Sequence, residues 1–187
     1  TDPVSPRSVY ARTKFEAENA LRKLAEETGT DLRIARVFGL IAPVQPDYYV
    51  LHSMLKRARE KRMADIPGLS NLRDYLDSRD VCQALLKLLE LDSEKFTRVC
   101  PDRVINIASG RGLAIRELAE TSLRALYPTG EAEKFIATMT EAPPRADDVP
   151  RIIASVDRFR ALFGENPLSI SLADTVRDAL KTPKSTS

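Results

Sequence analysis

The stretch SVYARTKFEAENALRKLAEETGTDLRIARVFG, residues 8–39, decides the fold. Its leading part is dense in Ala, Glu, Lys and Arg, residues that lose little side-chain freedom in a helix. Ser5-Pro6 reads as an N-cap followed by proline in the first helical position. The helix is expected to run to about Thr28 and to stop at Gly29, the residue type that tolerates a left-handed C-terminal turn. LRIARVFG follows at once, a short β-branched and apolar run of the kind that forms a buried strand. A helix feeding directly into a buried strand is the unit of a parallel sheet with crossover connections.

Working outward, the same alternation continues. APVQPDYYV is a proline-rich loop, and VLHSMLKRAREKR a basic helix. IPGLSNLRDYLD holds a turn and a short strand over residues 73–77, and residues 80–91 form an amphipathic helix. VINIAS, residues 104–109, is a second apolar strand, turned by Gly110-Arg111-Gly112 into the helix LAIRELAETSLRAL. KFIATMT reads as a strand and APPRADDVPR as a rigid polar loop. Residues 155–163 form a helix stopped by Gly164, and residues 171–180 a helix opened by Ser171 and Asp174 in a near capping box. Strands alternating with helices make the class α/β, and in such folds sites lie beyond the carboxyl ends of the strands. Here those ends are VFGLIAP and IASGRG.

The totals narrow the function classes. The chain has 187 residues, 43% hydrophobic and 30% charged, enough to bury a core. Its net charge of +2 is small, and no basic stripe carries interleaved aromatics, which argues against nucleic acid as a partner. No apolar run approaches the roughly 18 residues that a membrane helix needs. The N-terminus has no apolar segment of the secretory kind. Cys82 and Cys100 have no metal-site spacing and read as separate reduced thiols of a cytoplasmic protein. The single histidine, His52, cannot build a metal cluster and reads as a helix residue.

The sharpest chemical signal is Tyr10 and Lys14. Positions i and i+4 share one helix face. A fixed cation near a phenol favours phenolate, and a phenol so activated can exchange a proton with a sugar hydroxyl or carbonyl. The spacing also arises by chance, and alone it favours two ordinary helix residues. Gly110-Arg111-Gly112 follows a strand and opens a helix, as a dinucleotide loop does, but the third glycine is replaced by Ile115, so it reads as an ordinary tight turn. RDYLDSRDV, residues 73–81, and PRADDVPR, residues 144–151, are rich in Arg and Asp. Arginine forks suit phosphate, although a solvated loop and a helix N-terminus account for each stretch on its own.

Taken in order, SVYARTKFEAE, LRIARVFGLIAP, LRDYLDSRDVCQALLKLLE, VINIASGRGLAIRELAE and the closing segment from PPRADDVPR onward resemble the C-terminal half of the extended short-chain dehydrogenase/reductase family, the branch of nucleotide-sugar epimerases, dehydratases and ketoreductases. The resemblance implies the C-terminal half of a Rossmann-type parallel sheet plus a small mixed α/β substrate-binding domain. Residues 1–40 would end the dinucleotide-binding domain, and residues 41–187 would be mostly substrate-binding, with residues 73–109 returning to the sheet. It implies NAD or NADP as cofactor, a nucleotide-sugar as substrate and a homodimer for the intact protein. Tyr10 would be the general acid/base, Lys14 would support it and hold the nicotinamide ribose, and Phe38 would lie against the nicotinamide. Arg73 would reach the substrate phosphates. Arg145 and Asp148 would grip the nucleotide, on phosphate and ribose respectively. Gly39 stands at a substrate-contact position where many members carry Asn.

IPGLSNLRDYLDSRDV and RADDVPRIIASVDRFRALFG look most like the 4-keto-sugar reductases acting on GDP-sugars, a pattern that epimerases and dehydratases largely share. Reductase or epimerase is favoured over dehydratase because dehydratases of this family usually add a distinctive acid pair next to the catalytic Ser or Thr. The chain begins at Thr1 and carries its sharpest motif within its first dozen residues. The expectation is therefore a fragment without the glycine-rich cofactor loop and the upstream catalytic Ser or Thr, with little activity by itself and a sheet edge open to pairing. Two other readings stay open: a short-chain dehydrogenase of a non-nucleotide hydroxyketone, and a degenerate, non-catalytic binding module.

Overall fold

The computed structural model describes residues 4–6, 8–143, 148–164 and 169–182. Helix α1, Val9–Thr28, is capped by Ser8, whose Oγ accepts from the Ala11 backbone N–H at 3.1 Å. The cap is thus three residues later than Ser5, and Pro6 lies outside the helix. Gly29 ends it in the left-handed region, at φ 70°. Strand β1, Ile34–Val37, follows and pairs in parallel with β5, Val104–Ile107, in the register Ile34↔Val104 to Val37↔Ile107. On one face of this pair, Ile105 and Ile107 pack with Val81, Ala84 and Leu88 of α3, Ser78–Glu90, and with Phe96 of α4, Ser93–Val99. Phe159 and Leu162 of α7, Asp157–Phe163, complete that core. Helix α4 was not expected. Asp92 caps it, accepting from the Lys95 N–H at 2.8 Å, and it buries Phe96.

The expected strand over residues 73–77 is two strands, β3, Leu72–Arg73, and β4, Tyr75–Asp77, interrupted at Asp74. β4 pairs in parallel with β2, Gly39–Ile41. β3 lies between β6, Leu113–Ala114, which runs antiparallel to it, and β7, Arg151–Ile152, which runs parallel. The sheet structure is therefore mixed, and the GRG turn leads into a two-residue strand before the helix begins.

A second core is mostly helical. It joins α2, Val50–Arg59, α5, Ile115–Leu126, and α8, Leu172–Lys181, through Leu51, Leu55, Leu118, Leu123 and Val176. KFIATMT does not form a strand. Its first residues end helix α6, Thr129–Ala137. Ala132, Phe135, Ile136 and Met139 turn to this core at helical spacing, and that period prevails over the β-branched and aromatic composition of the short window. Ser171 caps α8, accepting from the Asp174 N–H at 3.1 Å as the capping pattern predicts, and its hydroxyl donates to the Asp174 carboxylate at 2.6 Å.

Among the described residues no helix is long and apolar enough to cross a membrane, and no group of His, Cys, Asp and Glu is arranged to hold a metal. Cys82 and Cys100 are both free, the first exposed and the second buried. His52, within α2, shares a hydrogen bond with the Ala42 carbonyl at 3.1 Å.

Candidate active site

Helix α1 brings Tyr10 and Lys14 onto one face, with the Lys14 ammonium 5.7 Å from the centroid of the Tyr10 ring. Tyr10 is 72% exposed, so its side chain is not sealed in hydrocarbon. Both side chains line an open cleft of about 510 Å³ between α1 and β1, together with Phe15, Glu18 and Ala35–Val37. Phe38, at the carboxyl end of β1, lines a neighbouring groove of about 890 Å³, and Phe15 and Arg36 border both spaces.

No residue of α1 is buried. Its inner face is the half-buried series Ala11, Phe15, Glu18, Arg22 and Ala25, at helical spacing. Charge fixes this face to the sheet. Glu18 accepts from Arg36 Nε at 2.8 Å and Nη2 at 2.6 Å, and from Arg22 Nη2 at 3.4 Å. The Arg36 hydrogen bonds hold the Glu18 carboxyl below its ordinary range against the opposing effect of burial. Neither partner stood out in the sequence, because a Glu on a charged helix and an Arg inside a strand reveal their pairing only when the two elements meet.

The strand ends beyond β1 and β5 meet around RDY. The Gly39 N–H donates to the Asp74 carbonyl at 2.9 Å. A Cβ at Gly39 would lie 2.6 Å from that carbonyl oxygen and 2.6 Å from the Tyr75 ring. A side chain at position 39 is excluded by contact, at an ordinary φ. Tyr75 is pushed above the usual phenol range by burial, partly offset by the nearby Arg73 cation. Arg73 and Asp148, both expected to grip substrate, are brought together at 3.6 Å, each side chain about a quarter exposed. Arg145 lies outside the described residues.

Sequence reasoning missed Asp74 itself. It is 1% exposed, and its carboxylate accepts four hydrogen bonds. Oδ1 takes the Ser109 N–H at 2.7 Å and the Ser109 hydroxyl at 2.6 Å. Oδ2 takes the Gly110 N–H at 2.9 Å and the Ala154 N–H at 3.2 Å. This explains the GRG turn. Consecutive N–H groups after a strand form an anion-binding concavity, as they do in phosphate loops, but here the anion is the protein's own aspartate. Asp77 and Asp80 repeat the device. Asp77 accepts from Arg79 and from the Thr175 hydroxyl, and Asp80 from the backbone N–H groups of Ser169 and Ile170. The three-residue spacing of acids in RDYLDSRDV was the available signal, and burial of all three is what distinguishes it from a solvated stretch.

Residues 1–111 match the NAD dependent epimerase/dehydratase family. The chain belongs to that family. Among curated relatives, it is 31% identical over 121 residues to GDP-6-deoxy-D-mannose reductase of Pseudomonas aeruginosa, an alignment covering 62% of this chain and 38% of that protein. It is 26% identical to UDP-glucose 4-epimerase of Corynebacterium glutamicum over 192 aligned positions, covering 95% of this chain and 55% of the relative. The structure of RMD from Pseudomonas aeruginosa complexed with NADPH superposes with a TM-score of 0.74 at 26% identity, over 96% of this chain and 57% of that one. The chain thus spans about half the length of the relatives it matches, or less. The Rossmann-like α/β architecture and membership of the NAD-dependent epimerase/dehydratase family stand on these matches together with the parallel pairing of β1 with β5.

Proposed function

We propose that the whole protein is an NAD(P)-dependent reductase or epimerase of a nucleotide-linked sugar, with Tyr10 as its proton-transfer residue. The observation that carries this reading is the Lys14 ammonium beside an exposed Tyr10 ring in a cleft at the edge of β1. The residues present suit the nicotinamide end of the cofactor: an aromatic at the strand end, a lysine within reach of ribose hydroxyls and a phenol open to the cleft. The head of the GRG turn does not suit its pyrophosphate, because the Gly110 N–H is taken by Asp74 and the Arg111 N–H by the Ser109 hydroxyl. When bound, the nicotinamide supplies or accepts the hydride.

The chain's own part is proton transfer and grip. In the oxidising direction the Tyr10 phenolate takes the proton of a sugar hydroxyl. In the reducing direction the phenol returns that proton to the carbonyl oxygen. Lys14, beside the Tyr10 ring, donates to the ribose hydroxyls. Arg73 reaches the substrate's phosphates, and Arg145 and Asp148 hold its nucleotide, by phosphate and ribose. Gly39, in this reading, presents backbone to the substrate, since Tyr75 closes the space a side chain would take. The exposed apolar residues Val9, Leu21 and Leu24 on α1 support a homodimer for the intact protein.

Tyr10→Phe tests the assignment. In the intact enzyme, with UDP-, GDP- and dTDP-sugars as candidate substrates, turnover should fall by about two to four orders of magnitude, the usual range for losing an acid/base group. Binding of NAD(P)H should be kept. Unchanged turnover rejects the assignment.

A further inference from the structure

We propose that Asp74 is a positioning residue for nucleotide binding, an internal anion whose charge sets the spacing of Arg73 and Asp148. The inference rests on the reading above, in which those two side chains hold the substrate's nucleotide diphosphate.

The segment from Pro150 to Ala154 hangs on residues 72–74 by a continuous row of bonds. The Leu72 N–H donates to the Pro150 carbonyl at 2.8 Å, and the Asp74 N–H to the Ile152 carbonyl at 3.0 Å. Between them β7 pairs with β3, Arg73 opposite Ile152. A two-residue strand pair is weak by itself. Its far end is closed by the Asp74 side chain, through the Ala154 N–H. The same carboxylate holds the Ser109–Gly110 turn, and the Asp74 carbonyl holds Gly39. One residue therefore joins three crevice segments to the strand that carries Arg73. Asp148, only two residues before Pro150, is placed by that row.

Charge, and not shape alone, is what the site requires. All four groups facing Asp74 are donors, three backbone N–H and one hydroxyl. Asparagine has the same shape, but it turns an NH₂ toward either the Ser109 pair or the Gly110 and Ala154 pair, leaving donor against donor in a buried place.

The test measures the dissociation constants of GDP, UDP and dTDP by calorimetry on the intact protein. Asp74→Asn and Asp74→Ala should each weaken binding of the preferred nucleotide about tenfold or more. Formate should restore part of the loss in Asp74→Ala, by entering the emptied concavity, whereas chloride at equal ionic strength should not. A purely structural role would shift the melting temperature and leave the affinity of the folded fraction and its response to formate unchanged. Wild-type affinity in Asp74→Asn, or no response to formate in Asp74→Ala, overturns the proposal. If both variants fail to fold, Ser109→Ala removes one of the four donors and should weaken binding about two- to threefold, and unchanged affinity there overturns it equally. Arg73→Ala separates the two levels. Unchanged affinity in Arg73→Ala rejects the nucleotide-binding reading itself. Weakened affinity in Arg73→Ala with wild-type affinity in Asp74→Asn rejects only the role of Asp74.

Discussion

Glu18 grips Arg36 with both carboxylate oxygens, at 2.8 and 2.6 Å, and so ties the helix bearing Tyr10 and Lys14 to strand β1. A helix with no buried residue has little hydrophobic adhesion, so its orientation depends on this ion pair and on the flank of Phe15.

Glu18→Ala should therefore cost about 1.5–3 kcal/mol, the range for a hydrogen-bonded charge pair whose other member stays half-buried. Urea melts of the two proteins measure it. Amide exchange should quicken in α1 before it does in α5.

Asp77 gives a pH dependence with a definite sign. Burial alone would raise its carboxyl pKa, but the Arg79 side chain, the Arg79 backbone N–H and the Thr175 hydroxyl outweigh burial and hold it below the ordinary 3.8. A depressed carboxyl contributes stability that is fully present above its unfolded value and is lost as pH falls through the folded one. The melting-temperature gap between wild type and Asp77→Asn should be constant from about pH 5 to 7 and should close in more acidic solution.

Gly39→Ala should destabilise the protein by about 1–3 kcal/mol, because the added methyl meets the Asp74 carbonyl and the Tyr75 ring at 2.6 Å. Gly39→Asn should be at least as damaging and should not improve substrate affinity. Thermal melts and KM read the two effects separately.

Leu118 is fully buried where α5 meets α2 and α8. Leu118→Ala should cost about 2–5 kcal/mol, the range for an unfilled core cavity. Chemical denaturation measures it, with the midpoint falling at little change in slope.

Most elements were legible because their signals are local. The helical period of α3 and α5, the β-branched runs of β1 and β5, and the stops at Gly29 and Gly164 need no distant partner to be read. The misses have a common cause. Ser5 and Ser8 are both chemically fit to cap α1, and it is Ser8 that does so. KFIATMT resembles a strand until Ala132 and Met139 are seen to share its buried face. Two-residue strands such as β6 and β7 exist only through pairing with β3. At the site, the Tyr10–Lys14 spacing lay within one helix and could be read directly. Asp74 could not, since its four partners lie 35 to 80 residues away and two of its bonded segments carry no distinctive residue.

The three acids of RDYLDSRDV also constrain how the gene can change. Asp74, Asp77 and Asp80 each receive a different remote piece of chain, so their directions must be kept in phase as strand gives way to helix. A single codon gained or lost between them would rotate the downstream carboxylates away from their partners together. Drift in length should accumulate instead in the loop between β2 and α2, leaving this short run as the chain's fixed ruler.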